Sequence, residues 1–158
     1  MPKKTPADAD LLALDRQVCF ALVVASRSVV AVYRPLLEPL QLTHPQYLVM
    51  LALWERSPRS VTEVSEALSL DPATLSPLLK RLEALGYVSR QRSTIDERVL
   101  VISLTDEGRA LRDHAERIPP AVVERLGMSL KELTDLHESL TRVIAAARSA
   151  SAEQPYVR

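Results

Sequence analysis

A mainly α-helical fold with one small β-hairpin is predicted by three observations. The 158-residue chain is 47% hydrophobic yet holds only three glycines and one phenylalanine, and its abundant alanine and leucine suit helices. Three S/T-x-x-E/Q capping boxes (Thr43 with Gln46, Ser60 with Glu63, Ser129 with Glu132) each stand ahead of apolar residues at three-and-four spacing. After Gly86 that spacing gives way to near-alternation in residues 88–92 and 99–104, on either side of a polar tip.

In chain order, residues 1–8 are polar with two prolines and read as a disordered tail, and residues 9–150 read as a single domain. From about Asp10 to Leu37 the pattern is helical, broken near Pro35. Between Val18 and Tyr33 it is apolar almost all the way round, and such a helix must be covered on most sides, which points to a second subunit. The Thr43 box opens a helix through Tyr47, Leu51 and Trp54 to about Arg56. The Ser60 box opens a short helix with Val64, Ala67 and Leu68 inside, and Ser69 and Leu70 form the tight turn that follows.

The next helix carries Leu75, Leu78, Leu79, Leu82 and Leu85 on one face, with Gly86 as a left-handed stop. Pro77 leaves two starts open. Asp71 can cap the helix with Pro72 at its first position, in which case Pro77 removes a bond to the Ala73 carbonyl; or Ser76 can cap a shorter helix with Pro77 first. Two short helices joined by a tight turn and followed by a hairpin make a winged helix-turn-helix, here about residues 43–104. Beyond it, Thr105 with Asp106 and Glu107 starts a helix that runs until Pro119-Pro120. The Ser129 box opens a last helix with Leu133, Leu136, Leu140, Val143 and Ala147 in a narrow seam of the type that pairs with another helix. The N- and C-terminal helices, about 9–37 and 105–150, are therefore expected to form a dimerisation region, with 151–158 as a loose tail.

Lys plus Arg equals Asp plus Glu, 20 each, so any nucleic-acid surface must arise from segregated charge. Arg27 interrupts the most hydrophobic run before it reaches the roughly 18 apolar residues of a membrane span. With no signal pattern at the N-terminus, the expected location is the cytoplasm. One cysteine excludes an internal disulfide. His44, His114 and His137 do not stand at metal-ligand spacing with it, and no phosphate loop, nucleophile elbow or carboxylate pair is visible, so neither a metal, a cofactor nor catalysis is expected.

Opposite the leucines, the helix after the turn presents Thr74, Ser76, Pro77, Lys80 and Arg81: small hydrogen-bonding groups in its first turns, cations further on. That order suits a helix whose first turns enter a DNA major groove while later charges meet phosphate. An amphipathic surface helix would share the pattern, but the hairpin adds Arg90, Arg92 and Arg98 on one ribbon, as a wing reaching for backbone and minor groove would. Asp96, two residues before Arg98, is expected to orient that guanidinium.

The run from Asp71 through Thr105, with Asp96-Glu97-Arg98 and the closing Ser103-Leu104-Thr105, resembles the winged-helix core of the MarR (multiple antibiotic resistance regulator) family. Leu36-Leu37-Glu38-Pro39-Leu40, Pro45-Gln46-Tyr47-Leu48-Val49-Met50 and Cys19-Phe20-Ala21-Leu22 are similar to its organic-hydroperoxide regulators, and the resemblance covers nearly all of residues 10–148. It implies a homodimeric repressor on an inverted-repeat operator in double-stranded DNA. It further implies that Cys19 senses organic hydroperoxide and that Tyr33 matches a tyrosine that hydrogen-bonds it across the dimer. Val23 and His44 stand where such regulators usually carry two more tyrosines.

Taken alone, a cysteine on an apolar helix reads as a small buried core residue, whereas a sensor must be a partly exposed thiolate with hydrogen-bond donors nearby. The candidate donors are Tyr33, Tyr47 and His44. Without a second, resolving cysteine, a sulfenic acid at Cys19 would condense with a low-molecular-weight thiol, another protein or a backbone nitrogen, or oxidise further. Two other readings stand beside this one: a repressor induced by a small aromatic or amphipathic ligand, and a thiol peroxidase consuming hydroperoxide at Cys19.

Overall fold

The structure, a computed structural model, describes residues 12–153; the expected tail at 1–8, the first two residues of the helix expected from Asp10, and 154–158 of the expected C-terminal tail lie outside them. A 3₁₀ turn, Leu14–Arg16, leads through the extended Gln17 into α1, Val18–Leu37. The helix thus begins later than the periodicity suggests, because an apolar pattern does not register one extended residue. It also runs through Pro35. That proline falls in the last turn, where it removes only the bond to Ala31, and the helix then tightens into a 3₁₀ turn, Glu38–Leu40, stopped by Gln41 at φ 57°.

The described residues divide after Ile118 into two compact units. The first contains α1, α2 (His44–Glu55), β1 (Arg59–Ser60), α3 (Val61–Leu68), α4 (Pro72–Ala84), β2 (Val88–Arg92), β3 (Leu100–Leu104) and α5 (Asp106–Ala115). Local chemistry starts α2, α3 and α5. The Gln46 side chain accepts the Thr43 amide at 2.9 Å, the Ser60 hydroxyl accepts the Glu63 amide at 3.1 Å and the Glu63 carboxylate the Ser60 amide at 2.7 Å, and the Thr105 hydroxyl accepts the Gly108 amide at 3.0 Å. Ser69, at φ 54°, turns α3 into α4. The core is made by Tyr47, Val49, Met50 and Leu53 of α2, Val64 of α3, Leu75, Leu79 and Leu82 of α4, and Val88 and Ile102 of the hairpin. Ala67, expected inside, is exposed; in an eight-residue helix the buried face is held by Val64 and Ser65.

The sheet is antiparallel in the order β1-β3-β2, with Val88 opposite Leu104, Arg92 opposite Leu100, and Arg59 opposite Ile102. The hairpin falls where alternation places it. The two-residue β1 has no counterpart among the sequence expectations. Its Arg59 is buried, with the guanidinium satisfied by the Arg56 carbonyl at 3.1 Å and Glu55 at 2.7 Å.

Two further expectations are corrected. The helix from Thr105 ends at Ala115, and Pro119-Pro120 lie in the first turn of α6, Ile118–Leu126, where missing amide donors cost nothing. The second unit then continues with α7, Leu130–Glu153, opened by the Ser129–Glu132 bonds at 2.8 and 3.2 Å; residues 151–153, expected as tail, are helical.

Only Leu37 of the twenty residues in α1 is buried; Val18, Phe20, Leu22, Val23, Val24 and Val29 are exposed. By length and composition the stretch Val18–Leu40 could cross a bilayer, and the case against a span rests on Arg27, two residues from its middle, where an arginine costs at least about 2.5 kcal/mol. In α7, Leu136, Val143 and Ile144 are exposed as well.

Candidate nucleic-acid interface and thiol sensor

Asp71 fixes the start of α4. One carboxylate oxygen accepts the Thr74 amide and the other the Thr74 hydroxyl, both at 2.8 Å, and these bonds hold the Asp71 carboxyl below its ordinary range. The helix therefore starts at Pro72 and carries Pro77 inside, which settles the two starts left open by the sequence. With Leu75, Leu79 and Leu82 buried beneath, Thr74, Pro77, Lys80 and Arg81 are exposed and Ser76 is half-buried. The Thr74 hydroxyl already donates to Asp71, which leaves the oxygen as an acceptor on an exposed residue.

The end of α4 is as tightly built. Gly86, at φ 79°, lets its own amide reach the Glu83 carbonyl at 2.9 Å and the Tyr87 amide reach the Leu82 carbonyl at 3.0 Å, which closes the last turn. The Gly86 carbonyl accepts the Thr105 hydroxyl at 2.6 Å, and the Tyr87 carbonyl accepts the Thr105 amide at 3.1 Å. Gly108 packs against that same Tyr87 carbonyl, and its own carbonyl accepts the Trp54 indole N–H at 2.8 Å.

The wing arginines differ in state. Arg90 is tied to α4 by Nε and Nη2 bonds of 2.8 and 2.5 Å to one oxygen of Glu83, whose carboxyl is held below its ordinary range by that guanidinium. Arg92 donates to the Glu97 carbonyl at 2.7 Å. Asp96 does not hold the Arg98 guanidinium as expected; its carboxylate accepts the Arg98 backbone amide at 3.0 Å, because the turn presents that N–H first. Among the described residues, Lys80, Arg81 and Arg98 form no ion pair. Sequence reasoning misses Glu83, since no local spacing rule links it to a strand residue seven positions on.

Cys19 is exposed near the start of α1. Its candidate partners lie together elsewhere: the Tyr33 and His44 rings meet edge-on at 4.9 Å, Tyr47 is 5.9 Å from Tyr33, and Trp54 is 6.4 Å beyond Tyr47. Burial raises the Tyr33 and Tyr47 hydroxyl pKa values, with Tyr33 adding to the shift at Tyr47, and lowers that of His44. Fourteen residues of unbroken helix separate Cys19 from Tyr33, about 21 Å at 1.5 Å per residue, so one chain does not bring them together. Beside the cluster opens a cleft of about 500 Å³ between Val30, Arg34, Glu38, Leu42, His44 and Pro45, which no sequence pattern announces. Among the described residues no three His, Cys, Asp or Glu side chains converge as a metal site requires.

The family described as transcriptional regulator SarA/Rot matches residues 31–115. The chain is 45% identical over 148 residues to the HTH-type transcriptional regulator TtmR of Methylorubrum extorquens (strain PA1), covering 92% of this chain and 76% of that one. It is 43% identical over 129 residues to the organic hydroperoxide resistance transcriptional regulator of Bacillus subtilis (strain 168), covering 82% and 86%. Among solved structures, reduced AbfR bound to DNA, from a protein of Staphylococcus epidermidis, superposes with a TM-score of 0.70 at 34% identity, covering 85% and 94%.

Proposed function

The chain belongs to the SarA/Rot group of MarR-type winged-helix transcriptional regulators, and from that premise we propose that it is a homodimeric, cytoplasmic repressor that leaves its operator when organic hydroperoxide oxidises Cys19. Its α4 enters the major groove through Thr74, Ser76 and Pro77, Lys80 and Arg81 meet phosphate, and the wing follows the backbone into the minor groove through Arg92 and Arg98. Arg90, committed to Glu83, holds the wing against α4, and Asp96 shapes the wing tip through the Arg98 amide. Two such helices related by a two-fold axis read an inverted repeat whose half-sites lie about 34–36 Å apart.

One observation carries the redox reading: Cys19 is exposed on an apolar, uncovered helix, about 21 Å from the Tyr33–His44–Tyr47 cluster of its own chain. Pairing α1 with its copy covers the apolar face and offers each Cys19 the other chain's cluster. The Cys19 thiolate then attacks the outer oxygen of the hydroperoxide, the O–O bond breaks, and an alcohol leaves after taking a proton, with Cys19 left as sulfenic acid. A small thiol condenses with it, forming a disulfide and releasing water. The added bulk beside Phe20 and Leu22 overpacks an interface where such insertions cost about 1–3 kcal/mol, and the helices shift the two DNA-binding lobes out of register.

The cleft beside His44 favours a second reading, induction by a small aromatic or amphipathic ligand. Turnover as a thiol peroxidase lacks a resolving cysteine. Operator release separates the three. Organic hydroperoxide is expected to release the wild-type dimer but not Cys19→Ser, at near-equal starting affinity. Release of Cys19→Ser by hydroperoxide refutes the redox reading, and sustained peroxide consumption with a thiol donor would establish the enzyme.

A further inference from the structure

The wing ends in a side chain that the proposed DNA contacts leave unused. Ile95 is 96% exposed, the most exposed of the large apolar residues among those described, and it lies at the tip between β2 and β3. It is not on a loose coil. The Ser93 amide donates to the Val99 carbonyl at 2.8 Å and the Val99 amide to the Asp96 carbonyl at 2.9 Å, while the Ser93 hydroxyl accepts the Ile95 and Asp96 amides at 3.2 and 3.4 Å. Together with the Asp96–Arg98 and Arg92–Glu97 bonds, these fix a turn that holds an isoleucine outward, with Arg92 and Arg98 on either side. A β-branched side chain loses little rotamer freedom when it is then covered.

We infer that Ile95 is an apolar contact of the wing with the operator, entering the minor groove beside Arg98 and leaning on base edges or between two steps. Three features commit the tip to this occupant. It is continuous with α4 through the Glu83–Arg90 pair; Arg92 and Arg98 flank it to meet phosphate on the groove walls, while the Asp96 carboxylate beside it is turned onto the Arg98 amide; and apolar wedges are a recurring minor-groove device, which unstacks steps and kinks the duplex. The consequence is specificity at base pairs outside the reach of α4. Flexible pyrimidine–purine steps at the wing position are favoured because they deform at lower cost.

The inference rests on the DNA-binding reading, and the test separates the two. A duplex is selected from a random-sequence pool by the wild-type dimer, then rebuilt with 2-aminopurine at the wing position and with flexible or stiff steps there. Ile95→Ser, which disturbs no buried packing, is expected to melt like wild type, bind about tenfold more weakly to the flexible duplex, keep the salt slope, and lose both the 2-aminopurine signal and the flank preference. Ile95→Leu is expected to retain them. Equal affinity and flank preference for Ile95→Ser overturns the inference, as does weakened binding with signal and preference intact, which confines Ile95 to the DNA backbone. A wild-type dimer that selects no duplex refutes DNA binding itself, and this inference with it.

Discussion

Cys19 and Tyr33 lie on one unbroken helix at an axial separation of about 21 Å, a span no side chain bridges. If Tyr33 donates to the Cys19 thiolate, it does so from the other chain, and mixed dimers expose this. A heterodimer of one Cys19→Ser chain and one Tyr33→Phe chain contains one composite site with both groups and one with neither. A hydrogen bond to a charged group is worth about 1.5–3 kcal/mol, so losing it is expected to slow thiolate oxidation by about tenfold or more in the Tyr33→Phe homodimer. The heterodimer, prepared with two affinity tags, should react at the wild-type rate with half the wild-type amplitude. The assay is trapping of the sulfenic acid by a dione probe after a pulse of organic hydroperoxide, read by mass spectrometry. A heterodimer as slow as the Tyr33→Phe homodimer would refute completion of the sensor across the dimer.

Arg98→Ala is expected to weaken binding across sequences and to lower the salt slope by about one unit for each phosphate it no longer neutralises, whereas a change at Ser76 alters base preference; an unchanged slope in a salt titration removes Arg98 from the interface. Asp96→Ala should reproduce part of the Arg98 effect by loosening the turn, since its carboxylate holds the Arg98 amide rather than the guanidinium. Gly108→Ala would drive a Cβ into the Tyr87 carbonyl oxygen, so it should destabilise the fold by about 1–3 kcal/mol or more in chemical denaturation; an unshifted midpoint contradicts that packing. Burial keeps the folded His44 pKa below its ordinary 6.5, so the unfolded chain takes up that proton first. Stability is then expected to hold above about pH 7 and to fall as pH drops through 6.5 towards the folded value, and His44→Gln should flatten that acid limb in urea melts.

What is legible in the sequence is what is decided within a few residues. Ser60 with Glu63, Asp71 with Thr74 and Ser129 with Glu132 satisfy amides three positions away, and Gly86 meets a positive φ that its own position demands. What is not legible depends on distant or two-sided choices. β1 has two residues and exists because Arg59 and Ser60 find Ile102 and Val101 across the sheet; no periodicity can announce it. Pro119-Pro120 read as a stop, but proline fits the first turn of a helix as well as the residues beyond its end, and the turn at 116–117 supplies the break. Asp96 can reach either donor of Arg98, and the geometry of the turn assigns it the amide.

The site divides along the same line. Sequence alone leaves Cys19 as either core or sensor, because an apolar helix reads identically whether its own chain or another covers it; the exposure of Val18, Phe20 and Leu22 shows that the described residues of its own chain leave that stretch uncovered. Charge is the complementary case, in which the total misleads and the placement decides. The 20 cations balance 20 anions, yet in the helix-turn-helix the carboxylates of Glu63, Asp71 and Glu83 are drawn onto a cap, an amide or an arginine, and each is held ionised by that partner. Lys80, Arg81 and Arg98 form no ion pair among the described residues, which leaves unpaired positive charge on α4, while on the wing Arg92 and Arg98 stand beside the carboxylates of Asp96 and Glu97. Because Lys80 and Arg81 stand exposed on α4 and form no ion pair among the described residues, raising salt should weaken DNA binding well before it loosens the fold.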